Sequence, residues 1–373
     1  MQKILTLTGQ VLKMALGLFF IVSALSKFVG IDSFEVYVYG LNLLPLGLSQ
    51  IAARLVIVAE LLLALMLITG WKHRLTMTLT TLVLLAFTML LAGLAVSGRM
   101  DSCHCMGELM PFNPVQSILK NAVLLMVTLL AWHWADEKWH PRWWMTVPLI
   151  ALTVEMIVQC GYWGVIYLTR FMRGYVYVWM AVLVVVTLIA SLQHEIAALN
   201  KMWVTLLLAF APLVTIFILS APDSWLPEQK GLTYDNQVLE RQMNGGMLDD
   251  VHVKTGRKVM CLYSISCHYC QMASQKIGTM QQRLALPDSC FVTVFPQARK
   301  DGAVHSDLFY AESHAPRHYE LSLPADTFLY ITYGRFPTVL FLENGNVVRQ
   351  IDYRDISEKD IKWVVTPNMG HTM

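Results

Sequence analysis

Apolar runs about 20 residues long decide what this chain can become. Residues 5–26, 51–70, 76–97, 115–134, 146–168, 175–193 and 202–221 are each apolar with few or no charges. Wound as helices, runs of roughly 20 such residues match the hydrocarbon core of a bilayer. Seven transmembrane helices are therefore expected. Lys3 precedes the first run, which is too long for a signal peptide and has a poor cleavage signal near Ser23 and Ala24. It reads as an uncleaved anchor. Charged residues make up only 14% of the 373, against roughly 25% in soluble domains. They are sparse before residue 222 and frequent after it. A net charge of +2, with no basic stretch interleaved with aromatics, excludes a nucleic-acid binder.

Positive residues favour the cytoplasmic side. Lys3, the Trp71-Lys72-His73-Arg74 turn, Lys138 with Arg142, and His194 with Lys201 share one side if the N-terminus is cytoplasmic. Arg170 and Arg173 disagree. An odd number of spans then places the C-terminal part on the periplasmic side of an inner-membrane, multi-pass protein. The loop after the third span, with Asp101, Cys103, His104, Cys105 and Gly107, falls on that side too.

Beyond residue 222 the pattern becomes that of a folded α/β domain. Residues 258–266 read as a buried strand, 271–284 as a helix, and 290–295 as a second strand. Residues 336–353 read as a hairpin turning at Asn344-Gly345. Residues 357–365 close as a helix, with Ser357 as N-cap. Cys267, His268, Tyr269 and Cys270 stand at the first strand-to-helix junction. A thiolate there meets free backbone N–H groups and the positive end of the helix dipole, which lowers its pKa. Cys267 is thus expected to attack and Cys270 to resolve, with His268 favouring the thiolate. Zinc requires a second cysteine pair, and Cys261 with Cys290 is badly spaced for one. Those two, and Cys160 in the fifth span, read as small buried hydrophobes. Pro316 spoils a metal pair at His314 and His318.

This order of elements resembles the thioredoxin fold over residues 245–366. The resemblance implies that the Phe336–Pro337 bond is cis and that Pro337 faces the dithiol. Some 40 residues separate the second strand from Pro337, read as a variable insert near 300–324 and a helix over 325–333.

Cys103 and Cys105 pose a separate problem. A bond between cysteines at i and i+2 needs a tight, strained turn, and strain eases reduction. Such a pair suits an electron acceptor. The same residues, with His104 and Met106, also suit Cu(I) or zinc, and a structural bridge is a third reading. The D-x-C-x-C-x-G pattern at Asp101, Cys103, Cys105 and Gly107, after three spans, resembles the DoxX/MauE group of membrane proteins over residues 1–135. That resemblance implies disulfide chemistry, methylamine utilisation and a quinone as electron acceptor. The four-helix arrangement is similar to the vitamin K epoxide reductase family. In the second span, Arg54 is expected to snorkel outward. Glu60, nearer the middle, is expected to mark a polar centre or proton route; Glu155 and Gln159 repeat the pattern more weakly.

The expected fold is a polytopic α-helical membrane bundle of about seven helices, the first four DoxX/MauE-like, plus an α/β thioredoxin-like domain. Its divisions are 1–135, three further helices at 136–222, a linker at 223–244, and 245–373. The expected function is a membrane thiol–disulfide oxidoreductase. Electrons pass from periplasmic protein thiols through Cys267–Cys270 to Cys103–Cys105 and on to a quinone, with no covalently bound cofactor and no metal. The alternative is a non-enzymatic maturation or metal-handling factor. A transporter is disfavoured, since Pro212 is a lone kink candidate without a counterpart.

Overall fold

In a computed structural model the described residues are 2–97, 112–136, 202–229, 231–297 and 306–366, with scattered positions between 146 and 196. The fifth expected span falls largely outside them and the sixth in part, while Asp101, Cys103, His104, Cys105 and Gly107 lie outside them. The chain divides into two compact units. One is Met1–Tyr37 with Ile51–Ala221, and the other is Val38–Gln50 with Pro222–Met373.

Four described helices of the first unit are long and apolar enough to cross a membrane: α1 (Gln2–Val29), α3 (Leu46–Thr69), α4 (His73–Val96) and α5 (Pro114–Trp134). A shorter helix, α2 (Ile31–Gly40), lies between the first two. Gly17 lets α1 and α3 approach closely, since a Cβ there would stand 2.5 Å from Ile68 Cγ1. Leu82, Leu85 and Met89 of α4, with Leu119, Val123 and Met126 of α5, point outward. Bare apolar stripes of this kind suit lipid. Asn121 Nδ2 donates to Thr88 Oγ1 at 3.3 Å and ties α5 to α4. Asn113 caps α5 in a box with Gln116, and Pro114 stands just inside the start. A further apolar helix runs Met202–Leu219 with Pro212 inside it.

The second unit is built on a five-stranded sheet in the order β3-β2-β1-β4-β5. Its strands are β1 (Arg257–Leu262), β2 (Phe291–Pro296), β3 (Tyr319–Leu323), β4 (Thr338–Glu343) and β5 (Asn346–Ile351). β1, β2 and β3 are parallel, while β4 and β5 are antiparallel to their neighbours. Side chains alternate across this sheet with period two. Val259, Cys261, Phe291, Phe295, Val339 and Phe341 face one apolar cluster, which includes Ile277 and Met280 of the helix His268–Arg283. Met260, Leu262, Val292, Val294, Leu340 and Leu342 face the other, which includes Phe328 and Ile331.

Two stretches carry more regular structure than the sequence suggested. Residues 223–244 are not merely a linker. Asp235 caps a helix, Asn236–Met243, whose Leu239 and Met243 are buried in the second cluster. The stretch 300–324 is likewise more than a variable insert. Its described part forms the helix Ser306–Ser313 and the edge strand β3. Pro316 lies so close to the helix His268–Arg283 that a Cβ on Gly278 would stand 2.3 Å from Pro316 Cδ. Glycine is required there by proximity.

Candidate dithiol site

β1 ends at Leu262, and the backbone turns through Ser264–Ser266 into the helix His268–Arg283, here called the dithiol helix. Cys267 is its N-cap residue, with extended backbone. Its carbonyl accepts from the N–H groups of Cys270 (3.0 Å) and Gln271 (3.1 Å). The Cys267 side chain is half-buried, whereas Cys270 is buried. Both carry free thiols.

Electrostatics separate the two sulfurs. A hydrogen bond from the Cys270 side chain, joined by backbone N–H groups of Cys270 and Tyr269, pulls the Cys267 thiol down to about 7 against the cost of partial burial. Burial and the neighbouring Cys267 push Cys270 well above the ordinary thiol range, although the Ser264 N–H points at its sulfur from 3.3 Å. Cys267 thus has the exposure and lowered pKa that an attacking thiol needs, and Cys270 the burial and raised pKa that suit a resolving one. Their difference in exposure follows from the helix: its N-cap residue faces the loop, and the residue three positions on is buried among the core side chains.

The Cys267 thiol also lies 3.9 Å from the Phe336 carbonyl oxygen. The Phe336–Pro337 bond is cis. Leu262 pairs with Thr338, so Pro337 and the dithiol stand at the same end of the two interior strands β1 and β4. His268 opens the helix beside Cys267, its ring edge-on to Tyr269 at 6.3 Å. Sequence reasoning missed Ser264 and Phe336, because both act through backbone atoms that any residue would supply.

The other described cysteines are not equipped for exchange. Burial raises Cys261 to about 12, even with a hydrogen bond from Tyr263. Burial also raises Cys290. His318 stacks on Phe291 at 5.0 Å, and its Nε2 meets Gln281 Oε1 at 2.6 Å. Burial lowers it to about 4.

These shifts give a pH test. In the reduced protein, alkylation of Cys267 by iodoacetamide is expected to rise with pH, to be half-maximal near pH 7 and to level off above it. Cys261 and Cys290 should react slowly over that range. Because the folded-state pKa is depressed, the thiolate adds stability above the unfolded-state value near 9. That stability disappears as pH falls through about 7. A midpoint near 9 for Cys267 would contradict the hydrogen-bonded geometry.

In the membrane unit, Glu60 finds a partner that the sequence did not point out. Lys27 Nζ lies 3.0 and 2.9 Å from its two carboxylate oxygens. Ser23 Oγ bridges them, 2.6 Å from Lys27 Nζ and donating to Glu60 at 3.1 Å. Both charges are almost wholly buried. Arg54 does not snorkel. It is 1% exposed, pairs with Glu35, and donates through Nε to the Ser220 carbonyl at 2.6 Å. Buried charges in a membrane need such partners.

Four span-capable helices followed by a thioredoxin-like α/β domain with a Cys-x-x-Cys at its helix start define a membrane dithiol protein. Residues 3–135 match the family model of the methylamine utilisation protein MauE. Among curated proteins, the chain is similar to Protein TlpB of Flavobacterium psychrophilum. The two are 23% identical over 286 residues, covering 74% of this chain and 72% of that protein. No solved structure matches.

Proposed function

We propose that the protein is an inner-membrane thiol–disulfide oxidoreductase whose thioredoxin-like domain works in the periplasm. The observation that carries this reading is the split between the two sulfurs: a half-buried Cys267 with a thiol near 7 and a buried Cys270 far above it. In the oxidising direction, a client thiolate attacks Cys267 of the Cys267–Cys270 disulfide, and Cys270 leaves as the thiolate. The client's second thiol then attacks the mixed disulfide and releases reduced Cys267. Two electrons and two protons pass from the client to the pair.

Reoxidation repeats the exchange with the Cys103–Cys105 disulfide. The Cys267 thiolate attacks one of its sulfurs, and Cys270 resolves the adduct. A lipid quinone then takes two electrons and two protons from the reduced Cys103–Cys105 pair and becomes a quinol. Asp101, His104 and Gly107 flank that second pair in sequence, and Pro337 presents client backbone to Cys267. The Lys27–Glu60 pair supplies a polar centre able to hold or pass a proton. The similarity to a MauE domain supports a role beside a membrane, and the dithiol geometry supports exchange.

The test follows the redox state of Cys267–Cys270 in cells by thiol trapping. In Cys103→Ser and Cys105→Ser variants the pair should accumulate reduced. An unchanged oxidised fraction would overturn the relay. Tight metal binding at residues 103–106 without exchange would instead favour the maturation-factor reading.

A further inference from the structure

Residues 38–50 run from the end of α2 into the first turn of α3, yet they belong to the C-terminal unit. Tyr39 is fully buried in the same apolar cluster as Ile277, Met280, Ile361 and Val364. Its hydroxyl donates to Glu358 at 2.8 Å. Arg283, the last residue of the dithiol helix, donates to the carbonyls of Tyr39 (2.8 Å) and Leu44 (2.6 Å). Its guanidinium lies 4.3 Å from the centre of the Tyr39 ring. Leu46 packs on the cluster edge, and Ser224 Oγ donates to Gln50 at 2.8 Å. A Cβ on Gly40 would stand 3.3 Å from Thr279 Cγ2. An aromatic core residue, a cation satisfied by two loop carbonyls and a close backbone approach form a built joint rather than a chance contact.

We propose that residues 38–50 are a clamp that grips the C-terminal end of the dithiol helix and holds the dithiol domain to the membrane protein at a second point. The domain is then not swung on its single covalent connection near residue 222. Thr279 is 12 residues from Cys267 along the helix, roughly 18 Å at 1.5 Å per residue. The clamp therefore leaves the reactive end open. Any partner dithiol must meet Cys267 where the gripped helix presents it.

A second consequence concerns sidedness, and it rests on the proposed relay only for its interest. Residues 38–50 and the loop after α4 are separated by two membrane crossings, α3 and α4. Parity puts them on one side of the bilayer. The clamp thus places Cys267 and Cys270 in the compartment of Cys103 and Cys105 without any appeal to charge counts or to the helices after residue 135.

The test is the double variant Gly40→Cys/Thr279→Cys in the full-length, membrane-inserted chain, with Cys103, Cys105, Cys267 and Cys270 replaced by serine. A cysteine Sγ at 279 can take the place of Thr279 Cγ2, 3.3 Å from a Cβ at 40, which is within reach of an Sγ on that Cβ. A disulfide between 40 and 279 should therefore form in most molecules under air, mapped by peptide mass spectrometry. A control pairing Gly40→Cys with Val348→Cys should give none. Absence of the 40–279 bond in inserted protein would overturn the clamp. With the four native cysteines restored, the cross-linked protein should alkylate at Cys267 and turn over within about twofold of its reduced form. Turnover lost on cross-linking and regained on reduction would show that the domain must leave the clamp, which overturns the held geometry. Because the bond forms in the serine background, failure of the relay leaves this readout intact.

Discussion

Serine at Cys267 is expected to reduce thiol–disulfide turnover by on the order of 10³-fold or more, as loss of a nucleophile does. Serine at Cys270 should act differently. Cys267 still attacks, but no second thiol resolves the adduct, so mixed disulfides accumulate on Cys267. Non-reducing gels of the Cys270→Ser protein should show slower bands that vanish with reductant. Mass spectrometry should place the adducts at Cys267. Adducts with Cys103 or Cys105 would identify the internal partner, and other adducts the clients. Equal trapping by both variants would refute the division of labour, because it follows from one sulfur being half-buried and the other buried.

The second large effect is expected at Lys27 and Glu60. Removing either partner leaves the other charged and buried, a loss of about 3–5 kcal/mol. Glu60→Ala or Lys27→Ala should therefore sharply lower the melting temperature in detergent or prevent accumulation in membranes. The double variant Lys27→Met/Glu60→Leu exchanges the pair for apolar side chains and should recover most of that stability. Turnover then separates two roles. If the pair serves packing alone, the double variant turns over like the parent. If the carboxylate handles a proton, stability returns and turnover does not.

How far the sequence revealed all this depends on how each feature is encoded. The four span-capable helices were legible because each is a long local run. The dithiol was legible because Cys-x-x-Cys follows a strand and opens a helix. Strand β3 was hidden: only five residues long, it lies at the sheet edge with four of its positions incompletely buried, so alternation is faint. The helix Asn236–Met243 was hidden because just two of its residues, Leu239 and Met243, are buried. Lys27 escaped notice because it ends an apolar run, where lysine is ordinary, and its partner is 33 residues away. Nothing in the sequence singled out Tyr39, because its partners Arg283 and Glu358 are more than 200 residues further on. Local patterns print in sequence; pairings across the fold do not.

The attachment of Arg54 to Ser220 matters to anyone who divides the protein. The MauE match stops at residue 135, yet the guanidinium in α3 reaches the carbonyl that ends the apolar helix Met202–Leu219. A gene fragment closed at the family boundary would lose an acceptor that its own arginine uses. Excision, swapping between homologues and grafting onto new scaffolds therefore need a cut after residue 220, however tidy the earlier border looks.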